Sequence, residues 1–257
     1  MFIGLHSWLK KCEKEGSIPR ILRGRSSVGE TRGLPLRTAT ATLCGVKQSG
    51  WKTISSERHF GNAHLEVVTN LVQTPARSDP RSWTIAHRKA AVIIAPMTRD
   101  GKIVLIHQER IPIREAIWEM PSGQIDNVTA GDLLSAVASA KADDPGRATP
   151  ETIGQVALRE LREEAGYELA KDGDLIALGH YFSSPGFTDE RGYFFLARPV
   201  VQSPDYVRDE SESILDCRAF SIPEIRRMIA ENEIRDANTL AICARLAARG
   251  FLSLESR

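Results

Sequence analysis

The carboxylates of Glu160, Glu163 and Glu164 have the residue type and spacing best suited to chemistry in this 257-residue chain. They fall in Glu151-Thr-Ile-Gly-Gln-Val-Ala-Leu-Arg-Glu-Leu-Arg-Glu-Glu-Ala-Gly-Tyr167, where Ile153, Val156, Ala157 and Leu161 recur at helical spacing as an apolar stripe. Glu160 and Glu164 are four apart and Glu163 is three from Glu160, so a helix makes them surface neighbours. Like charges so placed destabilise an isolated helix by roughly 0.2–0.5 kcal/mol per pair. A divalent cation removes that repulsion, and hard carboxylate oxygens suit Mg²⁺, with Mn²⁺ as the alternative. Alone, the spacing is compatible with binding a divalent metal. A bare Glu-x-x-Glu-Glu is more often a solvated helix face, so its surroundings decide.

Those surroundings are elements that could hold such a helix in place. Thr149 as N-cap, Pro150 at the first helical position and Glu151 near the positive end of the dipole predict a helix start, and Gly166 predicts its end. Upstream, 64–73 alternates as a strand with 82–87 as its partner. Ala90–Met97 reads as a strand buried on both faces, and Arg99-Asp100-Gly101 as the turn into a returning strand, 102–108. A short strand at 116–120 leads into Pro121-Ser122-Gly123. A short helix is expected over 132–141. Downstream, strands are expected at 175–183, 192–200 and 214–220, and helices at 223–232 and 237–249.

Composition narrows the class. No apolar run approaches the roughly 18–20 residues of a membrane span. Four scattered cysteines suggest neither a thiolate metal site nor a disulfide framework. The formal charge of +1 hides an asymmetry: residues 1–50 carry nine Lys/Arg against three Glu, and the remainder 25 against 30 acids. The acidic body argues against nucleic-acid binding. The basic head reads as a disordered tail or a start assigned too early, in preference to an organelle-targeting segment. The expected compartment is the cytoplasm.

With its flanks, the glutamate segment resembles the Nudix box, Gly-x5-Glu-x7-Arg-Glu-U-x-Glu-Glu-x-Gly-U, with U a large apolar residue. Glu151 and Arg159 through Tyr167 fit the helical half, Tyr167 standing at the final bulky position. The box glycine would fall on Pro145. Gly123, in Glu119-Met-Pro-Ser-Gly-Gln-Ile-Asp126, is the better match and leaves 27 residues where the box has five. A loop absorbs that insertion at modest entropic cost. From Trp51 to Leu252 the chain resembles the ADP-ribose (ADP-sugar) pyrophosphatase branch. The resemblance rests on Gln108-Glu-Arg110, Ser184-Pro185-Gly186 with Thr188-Asp189-Glu190, Asp209-Glu210-Ser211-Glu212 and Asp236-Ala237-Asn238-Thr239.

The resemblance implies an α/β Nudix fold, mixed β-sheets sandwiched by helices, preceded by a small N-terminal antiparallel sheet. It implies an N-terminal β region over 51–88 that forms a homodimer, and a hydrolase domain over 89–257 with an insertion near 128–149. The implied activity is Mg²⁺-dependent hydrolysis of a nucleoside diphosphate sugar, ADP-ribose giving AMP and ribose 5-phosphate. GDP-mannose, ADP-glucose, a dinucleotide, or a non-catalytic ADP-ribose sensor are the alternatives. Glu160, Glu164, the Ser122 carbonyl and Glu212 are the implied metal ligands. Glu210 is the implied general base, Glu163 orients water or takes a metal, and Arg159 positions the carboxylates. Arg110, Ser184, Pro185 and Gly186 are the implied substrate contacts.

Overall fold

A computed structural model describes residues 50–126, 152–206 and 213–253. The helix expected over 132–141, Thr149 to Glu151, Glu210 and Glu212 lie outside these residues.

Two sheets form. The first contains β1 (Lys52–Gly61), β2 (Leu65–Gln73) and β3 (Arg81–Arg88), antiparallel in the order β1-β2-β3. The Asn62 side chain makes the first turn by accepting from the amides of His64 and Leu65, both at 2.8 Å. This is the small N-terminal antiparallel sheet that the sequence implied.

The second sheet is seven-stranded and mixed, with the path β10-β5-β4-β9-β8. Its strands are β4 (Ala91–Thr98), β5 (Ile103–Arg110), β6 (Glu115–Glu119), β7 (Ser122–Gln124), β8 (Tyr167–Phe182), β9 (Arg191–Gln202) and β10 (Ile214–Phe220). β4 and β9 run parallel, and β6 and β7 pair with β5 and β4 off the main path. β4 is the centre, and its near-continuous apolar run is what burial on both faces requires. Ile93, Ala95 and Met97 face one core, with Ile225 and Met228 of α2 (Ile222–Ala230) and Ile242 and Leu246 of α3 (Ala237–Ala248). Val92 and Ile94 face the other, with Ile153, Val156, Ala157 and Leu161 of α1 (Ile153–Ala165). The two-residue period of one strand thus divides the core into two layers, with helices on both sides.

Three expectations shift. The N-cap of α1 is Thr152, not Thr149: its side chain accepts from the Gln155 amide while the Gln155 side chain accepts from the Thr152 amide. Both threonines offer a capping hydroxyl, but only Thr152 has a glutamine three residues on to close the capping box. β8 begins at Tyr167 rather than near 175. Gly166 takes a left-handed φ of 70° and turns the chain straight from α1 into β8, and a register shift between Leu169 and Asp174 breaks the alternation there. Residues 122–124 extend into the short β7, with Gly123 opposite Val92.

Candidate active site

α1 buries more than its apolar stripe. Glu160 and Glu164 are 7% and 4% exposed, one turn apart, and both face β7. The Ser122 amide donates to Glu164 Oε2 at 2.6 Å. The Glu160 carboxylate lies against Gly123, where an added Cβ would come within 2.0 Å of Glu160 Cδ. A glycine is therefore required there for close approach, not for its φ. The strand pairing of Gly123 with Val92 fixes this contact to the central strand.

Glu163 turns outward and is half-exposed. Arg159 bridges the two sides, with Nη1 at 2.6 Å from Glu163 Oε2 and Nη2 at 2.8 Å from Glu160 Oε1. Arg159 thus ties the outward carboxylate to the buried one.

A cleft of about 570 Å³ opens in front of these groups. It gathers Arg110, Ser122, Arg159, Glu160, Glu163 and Glu164 on its walls. Among the described residues those walls carry seven carboxylate side chains and three arginines, so a diphosphate entering it meets net repulsion. Mg²⁺ commonly uses one or two protein carboxylates and takes its remaining oxygens from phosphate and water. The Glu160–Glu164 pair fits that mode, and the missing Cβ of Gly123 leaves the room that the Glu160 carboxylate occupies. No group of three or more His, Cys, Asp or Glu side chains converges on one point among the described residues.

The cleft includes groups that the motif does not announce. Glu119, at the end of β6, is buried, and Arg110 Nε lies 2.8 Å from its Oε1. Burial pushes the Glu119 carboxyl up to about 7, the arginine opposing that rise and Asp236 adding to it. Arg88 reaches buried Glu190 at 3.3 Å, and Ser183 Oγ donates to the same carboxylate at 2.7 Å. Asp236 caps α3, accepting from the Thr239 amide at 2.7 Å, as its position before that helix suggested. The usable sequence signal for Glu119 was a lone charge in an otherwise apolar strand end, Ala116–Met120.

Ser184, Pro185 and Gly186 do not line the cleft. They belong to a loop bound to β3: Trp83 Nε1 donates to the Gly186 carbonyl at 2.9 Å, and the Ala86 amide to Phe187 at 2.9 Å. His87 Nδ1 stands 2.7 Å from Asp189 Oδ2.

The sequence profile of the NUDIX domain matches residues 86–241, more than half of the chain. The chain belongs to the Nudix family. Among curated relatives, it is 28% identical over 189 residues to the methanol dehydrogenase activator of Bacillus methanolicus, covering 74% of this chain and 88% of that one. It is 25% identical over 188 residues to the ADP-ribose pyrophosphatase of Bacillus subtilis (strain 168), covering 73% and 88%. A putative Nudix hydrolase 2 of Caenorhabditis elegans is 34% identical over 129 residues, covering 48% and 47%. A solved structure described as an ADP compounds hydrolase superposes with a TM-score of 0.57 at 15% identity, covering 80% of this chain and 99% of the other. At that identity the likeness is one of fold. The protein is thus a Nudix hydrolase by family, similar in sequence to an ADP-ribose pyrophosphatase. No helix among the described residues is long and apolar enough to cross a membrane.

Proposed function

We propose that this Nudix protein hydrolyses the pyrophosphate bond of a nucleoside diphosphate sugar, ADP-ribose first, releasing AMP and ribose 5-phosphate with Mg²⁺. One observation carries the reading: two buried carboxylates, Glu160 and Glu164, sit one turn apart beside Gly123 in a cleft shared with Arg110. The likeness to an ADP-ribose pyrophosphatase directs the substrate toward ADP-sugars.

In this reading Glu160, Glu164 and the Ser122 carbonyl would hold Mg²⁺, with Glu212 as a further ligand. When bound, the cation neutralises diphosphate charge and makes phosphorus a better electrophile. The chain's own side chains arrange the rest. Arg159 fixes Glu160 and Glu163 together, so that Glu163 accepts a hydrogen bond from the attacking water at a set position. Arg110 binds a phosphate oxygen, for which a guanidinium fork is suited. Glu210 accepts the proton the water loses. Ser184-Pro185-Gly186 supports the substrate side from behind: its loop holds β3, and β3 carries Arg88 to the cleft wall. The molecule works as a homodimer assembled through the 51–88 sheet, whose first strand exposes Ile54 and Phe60.

The test is a substrate panel on the full chain with the phosphomonoester products identified. ADP-ribose is expected to exceed ADP-glucose, GDP-mannose and dinucleotides by about tenfold or more in kcat/KM. Better turnover of another member would move the substrate assignment. Tight ADP-ribose binding without hydrolysis in Mg²⁺ would make the protein a sensor instead.

A further inference from the structure

One member of an ion pair in the cleft, Glu119, has no part in the reaction as set out. Glu119 ends β6 on the cleft floor, and Arg110 ends β5 beside it. The antiparallel register puts Arg110 opposite Glu115 and Glu119 opposite Ile106. Arg110 therefore does not meet Glu119 by simple pairing. It reaches back along the sheet, past the Gln108–Ile117 pair, to bring Nε within 2.8 Å of Oε1. Its guanidinium makes no other hydrogen bond or ion pair among the described residues. The two terminal nitrogens remain for something that enters the cleft.

The site is a poor one for a carboxylate. Glu119 is 3% exposed, Oε1 accepts no aligned hydrogen bond, and Asp236 lies near enough to oppose its charge. A buried ion pair, taken as a whole, is commonly replaced by apolar side chains without loss of stability, so its presence is weak evidence of a stabilising role. Its backbone is also pinned from α3, since the Met120 amide donates to Thr239 Oγ1 at 2.9 Å. Stability does not explain a fixed, disfavoured carboxylate; contact with Arg110 does.

We propose that Glu119 is a positioning residue: it holds Arg110 at Nε and so turns both terminal guanidinium nitrogens toward the diphosphate of the substrate. The inference rests on the pyrophosphohydrolase reading above and adds a specific role to it. A lysine cannot do the same, because one ammonium cannot serve the carboxylate at the back and a phosphate in front with fixed geometry.

A double-mutant cycle tests this on the full chain with ADP-ribose at saturating Mg²⁺. Glu119→Gln keeps the volume and is expected to raise KM about tenfold with kcat within about twofold. Arg110→Ala is expected to lose more, and the double variant no more than Arg110→Ala alone, because the two residues act as one unit. Additive losses would overturn the proposal, since a merely structural Glu119 would act independently of Arg110. Arg110→Lys gives a second reading that does not depend on Glu119→Gln folding: it should resemble Arg110→Ala, and a lysine variant matching the parent would overturn the proposal. If the parent leaves ADP-ribose intact, the substrate assignment fails by itself. The same cycle is then read by calorimetric binding of Mg²⁺-pyrophosphate, where coupling between Glu119 and Arg110 supports the positioning role and independence overturns it.

Discussion

Gly123 shows how far a single atom governs this cleft. It has no Cβ, and the Glu160 carboxylate occupies the place a Cβ would take. Gly123→Ala should displace that carboxylate and lower turnover by about 100-fold, a loss typical of roughly 1 Å misplacement. Circular dichroism should show the fold retained; parental turnover in that variant would mean that the Glu160 position is not critical. Glu164→Gln should abolish Mg²⁺-dependent hydrolysis while still accepting from the Ser122 amide, and normal rates at saturating Mg²⁺ would remove Glu164 from the metal site. Glu119 gives the opposite combination. Its carboxyl is pushed from an ordinary 4.5 up to about 7 in the folded protein. Between those values the folded chain keeps a proton that the unfolded chain has released, so stability is lost as pH rises across the window. A displacement of that size amounts to on the order of 3 kcal/mol at alkaline pH. Glu119→Gln should therefore gain stability relative to the parent between pH 5 and pH 8 while losing substrate affinity. Urea unfolding at both pH values measures the gain, and a pH-independent difference would refute it. The sequence disclosed the helix carboxylates because three glutamates sit at fixed spacing beside Arg159. It did not disclose Glu119, Arg88 or Glu190, whose meeting depends on strand register and on pairs about 100 residues apart in the chain.

At the scale of elements, α1 is set by its two ends. Thr152→Ala removes one half of the capping box and should lower stability by about 1 kcal/mol in denaturant unfolding. Gly166→Ala should do more, because φ is 70° and the Tyr206 ring stands 2.5 Å from the added Cβ. Equal midpoints for the two variants would show that the turn tolerates a side chain. The central strands and the closing helices were readable because each has an unbroken apolar period. β4, β10 and α3 fall within a residue or so of their expected limits. The start of α1 was misplaced by three residues, because two threonines compete for the cap and only the reciprocal glutamine contact chooses between them. β8 was found late, because a register shift interrupts its alternation before residue 175. Ser122–Gln124 looked like a loop, since Pro and Gly signal a turn, yet its pairing with β4 makes it a strand.

At the scale of the whole molecule, the N-terminal sheet is the part without a core of its own. β1 is exposed along nearly its full length and forms the sheet's edge, with Ile54 and Phe60 uncovered. An open apolar edge of that kind invites a second copy. The full chain is expected to run as a dimer in light scattering, and Ile54→Asp with Phe60→Asp to run as a monomer; a monomeric parent would end the dimer assignment. Residues 83–88 meet 186–190 through a succession of contacts: Trp83 to Gly186, Ala86 to Phe187, His87 to Asp189 and Arg88 to Glu190. The last of these rungs lies on the cleft wall. Detaching the sheet would therefore break the same few bonds that shape this wall of the cleft. A ligand that tightens the Arg88–Glu190 rung would slow amide hydrogen exchange across β1 to β3 as one cooperative block, though none of those three strands carries a metal ligand.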